Sequence, residues 1–443
     1  MAILSKEDAQ ALLKKVLSYS KADECEISLT GRTGGNIRYA LNAVSTAGEM
    51  STLTLSVSST FGKKTGTATG NEFDDASLER IVRRAEELAQ LAPENKEYMP
   101  LLGPQTFAEA TTWNENTANL TPEKRAELVG KSLEVTKQAN LVAAGFLENL
   151  VGFTAVMNSK GLFAYNKSAN VIFSVTTRTQ DGTGSGYAAR GFTDVKDLDT
   201  YGATRIATQK ALSSMAAKAI EPGKYTVILE PVAATYMLEN MFRFDARQAD
   251  EGRSFLSKKG GGTRLGEKLL DEKVTIYSDP FNKDLPAATW DRDGLPLEKT
   301  YWIQNGVVKN LSVSRYYAQL KGLKPVPGPS NIIMEGGEQS IEDMIKNTER
   351  GVLVSRLWYI RNVDQQSLLL TGLTRDGTYY IENGKIKFPV KNFRFNESPV
   401  IMLNNVEALG KPERSISVES YRSYMIPPIK VRDFTFSSLS DAV

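Results

Sequence analysis

The sequence contains no histidine among its 443 residues. Catalytic Ser–His and Cys–His pairs are therefore impossible within this chain, because both need an imidazole as the base. Zinc sites draw mainly on cysteine and histidine, and here the pool of such donors is a single thiol. A site built only from carboxylates can still hold Mg²⁺ or Ca²⁺. The lack of histidine therefore argues against a zinc site but not against a site for these two metals.

The chain has one cysteine, Cys25, which excludes a disulfide within the chain. The neighbouring carboxylates of Glu24 and Glu26 would raise the pKa of its thiol and so suppress the reactive thiolate. The surrounding residues are typical of a strand, in which a free cysteine behaves as a small apolar side chain. We therefore predict a structural role for Cys25.

An excess of charge of either sign is also lacking. Lysine and arginine total 54 against 52 aspartate and glutamate residues, which leaves a formal net charge of +2. Proteins that bind nucleic acids directly usually gather a basic excess on one face. The basic clusters at Arg83–Arg84 and Lys258–Lys259 each sit among acidic residues. The balance argues against direct nucleic-acid binding.

Long apolar runs are missing as well. The most apolar window, Leu141–Phe153, is interrupted by Glu148 and is too short to cross a bilayer. The first residues show no basic segment followed by an apolar one, so we expect no signal peptide. These features predict a cytoplasmic protein without membrane partners, with two or three domains in a chain of this length.

Helix and strand patterns alternate in the first half of the chain. Residues 93–120 carry no clear period and are rich in Pro, Asn and Thr, so they are predicted to be a linker. Strands follow from Val142 to Phe192, broken by turns at 158–161 and 181–186. The other predicted elements are a helix after Ser5, strands at Glu24–Arg32, Asn36–Asn42 and Leu53–Ser59, and helices at Ala76–Leu91, after Thr121 and at Asp199–Ile220.

The pattern changes at Pro222-Gly223. A strand at Tyr225–Glu230 and a helix at Ala233–Phe244 are followed by short strands between turn residues. We therefore predict an α+β, two-lobed fold with domains 1–222 and 223–443. The N-terminal lobe should pack helices on a largely antiparallel sheet, and the C-terminal lobe should be mostly β.

Two glycine-rich segments invite a phosphate-binding interpretation. Asp181–Gly186 and Lys258–Gly262 both lack the Gly-Lys-Ser/Thr ending of a phosphate loop. The first segment is predicted to be a hairpin tip and the second a mobile loop.

Few side chains remain for catalysis or metal binding. Ser214 and Lys218 lie four residues apart on a predicted helix, which leaves a Ser–Lys pair open although this spacing is common by chance. Two sets of neighbouring acidic residues are candidate metal ligands: Asp245, Asp250 and Glu251, or Asp291 and Asp293. Neither set has the spacing of a calcium-binding loop, so we interpret both as solvated surface residues by default.

An ordered series of segments in the second half of the chain carries a family resemblance. The series is Glu221–Pro231, Ser254–Lys259, Leu265–Leu269, Val274–Pro280, Asp291–Pro296, Trp302–Val308, Ser330-Asn331, Leu370–Gly372 and Tyr380–Ile386. Each piece alone is weak, but their order and spacing resemble the C-terminal lobe of the TldD/PmbA family. The N-terminal half fits that family more loosely.

The resemblance implies a zinc-peptidase background. Catalytic members carry a His-Glu-x-x-x-His helix, in which two imidazoles bind zinc and the glutamate polarises water. The corresponding segment here is Tyr236–Asp245, with Leu238 and Arg243 at the histidine positions and Glu239 at the acid position. A cysteine ligand of the family is also missing at its later position. The resemblance therefore implies no catalytic residues and no metal ligands in this chain. Glu239 is then expected to be a surface carboxylate or to pair with Arg243, which lies four residues later on the same face of the predicted helix.

The resemblance also implies partners. The chain is similar to the PmbA (TldE-like) branch, which lacks the zinc motif and pairs with a catalytic TldD-type subunit that holds the zinc. We expect a homodimer or heterodimer and a peptidase assembly for unfolded peptides, which the family links to modulation of DNA gyrase. Two alternatives stay open, namely an autonomous hydrolase with a non-zinc site, and a peptide-binding homodimer without catalysis.

Overall fold

A computed structural model describes residues 3–440 and builds the first lobe on one antiparallel sheet. Its strand order is β3-β2-β1-β4-β5-β6. The strands are β1 (Glu24–Ala40), β2 (Ala43–Phe61), β3 (Lys64–Gly70), β4 (Val142–Asn158), β5 (Phe163–Arg178) and β6 (Ser185–Phe192). The helices are α1 (Lys6–Ser18), α2 (Asp75–Leu91), α3 (Glu115–Ala118), α4 (Pro122–Gln138) and α5 (Thr200–Ser213).

Strand alternation decides which face of this sheet the helices cover. Odd-numbered side chains of β4, such as Leu147 and Phe153, are buried in the two apolar clusters formed with the helices. Helices α1 and α2 contribute to one cluster, and α4 and α5 contribute to the other. Because successive strand residues point to opposite faces, even-numbered residues such as Glu148 and Leu150 project to the other face of the sheet. That face is turned toward the second lobe.

The second lobe contains two further sheets. A seven-stranded sheet has the order β12-β7-β19-β15-β13-β14, with β16 paired to β19, and a six-stranded sheet has the order β10-β9-β8-β11-β18-β17. The strands are β7 (Gly223–Leu229), β8 (Ile276–Ser278), β9 (Thr300–Gln304), β10 (Val307–Val308), β11 (Ile333–Met334), β12 (Arg350–Asp364), β13 (Leu369–Glu382), β14 (Lys385–Pro389), β15 (Phe393–Glu397), β16 (Val406–Leu409), β17 (Glu413–Ser417), β18 (Arg422–Ile426) and β19 (Ile429–Leu439).

Short helices complete this lobe. They are α6 (Pro231–Leu238), α7 (Ala246–Asp250), α8 (Arg315–Lys321), α9 (Ile341–Lys346) and α10 (Pro399–Asn404). The largest apolar cluster of the molecule lies here and includes most of α6. The α+β, two-lobed architecture is thus confirmed, with helices on an antiparallel sheet first and a strand-rich lobe second.

The predicted break between two strands at residues 33–35 is wrong. Strand β1 runs unbroken through Gly34 and Gly35 and pairs with both β2 and β4 along its length. A Cβ atom on Gly34 would lie 2.1 Å from the Asn149 carbonyl oxygen, and one on Gly35 would lie 2.4 Å from the Arg125 guanidinium. The two glycines therefore mark close packing and not a turn.

Two predicted helices are shorter in the structure. The first, α5, ends at Ser213 instead of residue 220, because the Lys218 backbone N–H donates to the Pro389 carbonyl oxygen at 2.9 Å. The second, α6, ends at Leu238 and continues only as a 3₁₀ turn at Glu239–Met241. Asp245 then caps the separate helix α7. The segment after α5 therefore pairs with the second lobe, and the segment after α6 forms a tight turn before α7.

The segment at 93–120 is irregular apart from α3, as predicted, but it is anchored to the second lobe. The Thr289 hydroxyl donates to the Ala108 carbonyl oxygen at 2.7 Å. The Arg247 guanidinium donates two hydrogen bonds of 2.8 Å to the Glu97 carboxylate. Within residues 3–440, no helix is long and apolar enough to cross a membrane.

Candidate functional site

A cavity with a volume of about 1060 Å³ lies between the two lobes; we call it the interlobe cleft. One wall is the helix-free face of the first sheet. Residues 239–243, 285–287, 329–332 and 420–424 of the second lobe form the other walls, together with Arg414. From the first lobe the cleft is lined by Arg32, Glu148, Leu150, Asn170, Val171, Ile172 and Phe192.

Buried polar bonds hold the lobes around the cleft. The Arg356 guanidinium donates to Asp376 Oδ2 at 2.8 Å, and the Ser185 hydroxyl on β6 donates to the other oxygen of that carboxylate at 2.5 Å. A second bond joins Lys210 of α5 to Glu230 at 2.5 Å. Because Glu230 immediately precedes α6, this bond fixes the start of the helix that leads into the cleft.

Two of the three positions that the resemblance aligns with the family's metal motif lie at the cleft, and the third is buried at the end of α6. Leu238 is fully buried in the main apolar cluster and does not line the cavity. Glu239 and Arg243 do line it. The structure therefore brings two of the three sequence-predicted positions to one surface and places the third in the core.

The predicted Glu239–Arg243 pair is wrong. The helix ends at Leu238, so the two residues do not share a helical face, and no ion pair joins them. The Glu239 carboxylate instead accepts a hydrogen bond of 3.2 Å from the Ser420 hydroxyl. Burial raises the pKa of Glu239, and hydrogen bonds from Ser417 and Ser420 oppose that rise only in part.

This pKa shift gives Glu239→Gln a pH-dependent effect on stability. A raised pKa means that ionisation destabilises the folded state, so stability is lost as the pH rises through the folded pKa. We expect the variant to gain stability relative to the parent between pH 4 and pH 7.5, measured as the difference between their urea midpoints. Glu109→Gln, at an exposed carboxylate without hydrogen bonds, is the matched control. An unchanged or reversed difference would contradict the assignment.

The residues at this position do not fit the zinc ion that the family resemblance implies. Protein zinc sites are built mainly from imidazole nitrogen and thiolate sulfur, and the segment from Leu238 to Arg243 contains neither histidine nor cysteine. The Arg243 cation would repel a divalent ion. Within residues 3–440, no group of three His, Cys, Asp or Glu side chains is arranged to hold a metal.

The other carboxylate candidates have structural partners. Asp245 accepts from the Gln248 backbone N–H at 2.8 Å, and Asp291 accepts from the backbones of Asp293 and Leu295. Their neighbours on α7 and the adjoining turn, Asp250 and Glu251, form ion pairs with Lys321, Arg247 and Arg253. These contacts cap helices, close turns or join surface elements.

The Ser–Lys candidate is not assembled either. Lys218 lies beyond the end of α5, and its ammonium group stacks on the ring of Phe388. The Ser214 hydroxyl bonds to the backbone of Ser185. Cys25 is fully buried, and burial raises the pKa of its thiol.

Sequence reasoning missed the basic side of the cleft. Arg32, Arg414 and Arg422 line it together with Arg243, although they come from three separate strands and one irregular segment. No local motif marks them, because they converge only after the lobes pack. Ser330-Asn331, in contrast, stood out in the sequence, and the Asn331 amide bonds to the backbones of Asp279 and Leu285 beside the cleft.

The fold and the cleft define a two-lobed α+β protein with a large cavity between its lobes. Models of the PmbA/TldA metallopeptidase domain 1, central domain and C-terminal domain match residues 25–89, 116–215 and 222–438, respectively. The chain therefore belongs to the PmbA/TldD family.

Individual relatives agree with this assignment. The metalloprotease PmbA of Escherichia coli O157:H7 is 22% identical over 97% of this chain and 98% of its own length. A metalloprotease of Methanothermobacter thermautotrophicus is 24% identical over 59% of this chain and 60% of its own length. A metalloprotease TldD homologue of Haemophilus influenzae is 22% identical over 79% and 77% of the two chains.

Solved structures share the fold. TldE from Thermococcus kodakarensis superposes with a TM-score of 0.86 at 19% identity and covers 97% of this chain and 99% of its own. A Thermotoga maritima protein described as a modulator of a DNA gyrase gives the same TM-score and identity, with coverage of 97% and 100%.

Proposed function

We propose that this chain is a non-catalytic, TldE-like subunit of a PmbA/TldD-type peptidase assembly in the cytoplasm, and that the zinc resides in a TldD-type partner. The observation that carries the proposal is the donor set at the metal position. Leu238 is in the core, Arg243 is a cation, and Glu239 is the sole anionic side chain between them. The partner would then supply the imidazoles that this chain lacks.

The interlobe cleft supports a role in holding peptides. Its walls combine apolar side chains such as Leu150 and Phe242 with charged ones such as Arg32 and Glu148. Peptide sites commonly need both, since apolar contacts supply affinity and polar groups supply orientation. An unfolded segment fits such an open, mixed surface. Any link to DNA gyrase would accordingly run through proteolysis and not through direct DNA binding.

An exposed sheet edge supports assembly into a homodimer or heterodimer. Residues 43–52 of β2 are all exposed, and the pairing of β2 with β3 begins only at Leu55. Leu41, Val44 and Met50 add exposed apolar side chains to this part of the first lobe. An obligate interface should bury more than about 2,000 Å² in total. Light scattering that gives a single 48.7 kDa subunit at micromolar concentration would count against a dimer.

Zinc analysis tests the proposal most directly. We expect the purified chain alone to hold less than about 0.1 zinc per subunit, because imidazole and thiolate ligands are missing at the metal position. Co-purified with a TldD-type subunit, the assembly should hold one zinc for each partner subunit. Stoichiometric zinc in the isolated chain, or failure of the two chains to associate, contradicts the proposal.

One observation favours a second candidate, an autonomous hydrolase. A carboxyl whose pKa is raised by burial and that lines a large cleft has the character of a general acid or base, and Glu239 meets this description. Peptide hydrolysis by the isolated protein that disappears in Glu239→Gln would establish this alternative. Absence of hydrolysis leaves the non-catalytic subunit as the assignment.

A further inference from the structure

Four arginines line the interlobe cleft, and none of them is neutralised by an ion pair. Arg32, Arg243, Arg414 and Arg422 all have guanidinium groups more than 4.0 Å from any carboxylate oxygen in residues 3–440. Several arginines on the outer surface are ion-paired. Arg84, for example, pairs with Glu87 at 3.1 Å although both side chains are exposed. The cleft therefore concentrates unpaired cations in a chain that is nearly neutral as a whole.

Arg414 has the most enclosed guanidinium of the four. Its Nη1 donates to the Asp284 carbonyl oxygen at 2.8 Å and to the Thr193 hydroxyl at 3.4 Å. Its Nε is buried and has no hydrogen-bond partner among the residues described. Burial lowers the pKa of this group to about 10, so it is still a cation at neutral pH. The carboxylates of Asp197 and Asp284 attract this cation, but neither forms an ion pair with it. A largely buried cation without an ion-paired carboxylate is costly, and an anionic ligand would offset that cost.

The acidic side chains of the cleft do not balance these cations. Only Glu148 and Glu239 line the cavity, against four arginines. Burial raises the pKa of both glutamates. Even with both glutamates ionised, the four arginines leave the lining of the cleft with two more cationic than anionic side chains.

The spacing of the arginines indicates more than one anionic group in the ligand. Arg414 lies opposite Met425 in the β17–β18 ladder, and Arg422 lies opposite Ser417. Their backbones are thus three residues apart along the strands, or about 10 Å, and because this offset is odd their side chains leave opposite faces of the hairpin. Arg32 approaches from the other lobe. One terminal carboxylate cannot meet all of these groups, whereas several acidic side chains on an extended chain can.

We propose that the interlobe cleft binds extended peptides that carry several aspartate or glutamate side chains, with Arg414 as the inner anchor and Arg32, Arg243 and Arg422 at its surface. Apolar residues of the lining that are partly exposed, such as Leu150 and Phe242, would contact the side chains between the acids. A nucleic acid fits less well, since the cleft contains no lysine and has two glutamates. The inference deepens the proposed function by naming the class of peptide.

Fluorescence anisotropy of the isolated chain tests the proposal. The probe is a fluorescein-labelled peptide of alternating Glu and Leu with an amidated C-terminus, compared with the same peptide carrying Gln for Glu. We expect the acidic peptide to bind at least about tenfold more tightly, with the preference falling as salt screens the charges. Equal binding of the two peptides would overturn the proposal.

Variants identify the site. Arg243→Gln combined with Arg422→Gln changes two exposed side chains and should weaken binding of the acidic peptide about tenfold. Arg414→Gln should weaken it as well, and a melting curve confirms that this variant folds. Arg205→Gln is the matched control, because Arg205 is an exposed, unpaired arginine outside the cleft. A loss in the control equal to that in the cleft variants would contradict the assignment.

Two further ligands test whether the cleft recognises acidic side chains, a terminal carboxylate or a nucleic acid. If the Gln peptide with a free C-terminus binds as well as the amidated acidic peptide, a terminal carboxylate suffices and the proposal is wrong. If single-stranded oligothymidine displaces the acidic peptide at lower concentration than unlabelled peptide does, the cleft is a nucleic-acid site and the proposal is also wrong. Because no partner subunit is present, these outcomes do not depend on whether a TldD-type assembly forms.

Discussion

In an assembly with a TldD-type subunit, replacing the glutamate of the partner's His-Glu-x-x-x-His helix should abolish peptide hydrolysis, whereas Glu239→Gln should leave it unchanged. A glutamate that polarises a zinc-bound water contributes about a hundredfold or more to the rate, because it acts on the reacting proton. Glu239 bonds to the Ser420 hydroxyl and has no nitrogen or sulfur donor beside it that could bind zinc. Its loss should therefore change the rate by less than about twofold.

The measurement is the initial rate of hydrolysis of an unfolded protein such as reduced casein by three preparations: parent assembly, partner variant and Glu239→Gln. Zinc content and co-elution are determined for each, so that a lost metal or a dissociated subunit is recognised. Activity that survives the partner variant but disappears in Glu239→Gln would assign catalysis to this chain and overturn the proposed function.

The largest expected effect on stability comes from Asp376→Asn. The Asp376 carboxylate is fully buried and accepts hydrogen bonds from Arg356 and Ser185. Removing its charge leaves the Arg356 guanidinium, which is 10% exposed and stacked 3.7 Å above the ring of Tyr187, without its counter-ion. Breaking one side of a buried ion pair costs about 3 kcal/mol or more. Asparagine is chosen because Asp376 has a φ of 55°, a conformation that asparagine tolerates.

A double-mutant cycle separates this charge effect from a general weakening of the core. Arg356→Met combined with Asp376→Asn removes both charges and should recover much of the stability lost in the single variant. Glu87→Gln, which breaks the exposed pair with Arg84, should change the free energy of unfolding by less than about 0.5 kcal/mol. Urea midpoints and melting temperatures provide the comparison. A single variant as stable as the parent would show that the Asp376 carboxylate, with its bonds to Arg356 and to Ser185 of the first lobe, does not stabilise the fold.

The sequence predicted the strand-rich parts of the fold where local chemistry is decisive. In β4 and β5, long alternating runs end at Asn158–Gly161 and Asp181–Gly186, and the structure places turns at both positions. Alternation has a direct cause, since a strand that packs helices on one face must bury every second residue. The prediction was wrong at Gly34-Gly35, because a pair of glycines favours a turn locally. In the structure the two glycines lie within a strand, where Asn149 and Arg125 pack too closely for a larger residue.

Helix α6, which the resemblance aligns with the family's metal motif, shows that the local sequence does not fix where a helix ends. Residues 233–244 carry a continuous apolar helical pattern, yet α6 ends at Leu238. The Ala246 backbone N–H donates to the Ser312 carbonyl oxygen at 2.9 Å, and this contact lies far along the chain from the helix. A hydrogen bond of that kind has no signature in the residues around position 238. The incorrect Glu239–Arg243 pair followed directly from assuming that the helix continued.

The sequence alone determined which chemical groups the chain can supply. A chain without histidine cannot build an imidazole zinc site or a serine–histidine pair in any fold, because the donors themselves are missing. What only the tertiary structure decided is proximity. Arg32 and Arg414 belong to strands of different lobes, and neither stands out in the sequence. Only the packing of the two lobes brings them to the same cleft. The physical reason is that residue type is local, whereas the electrostatic field of a cleft is a sum over side chains that distant segments bring together.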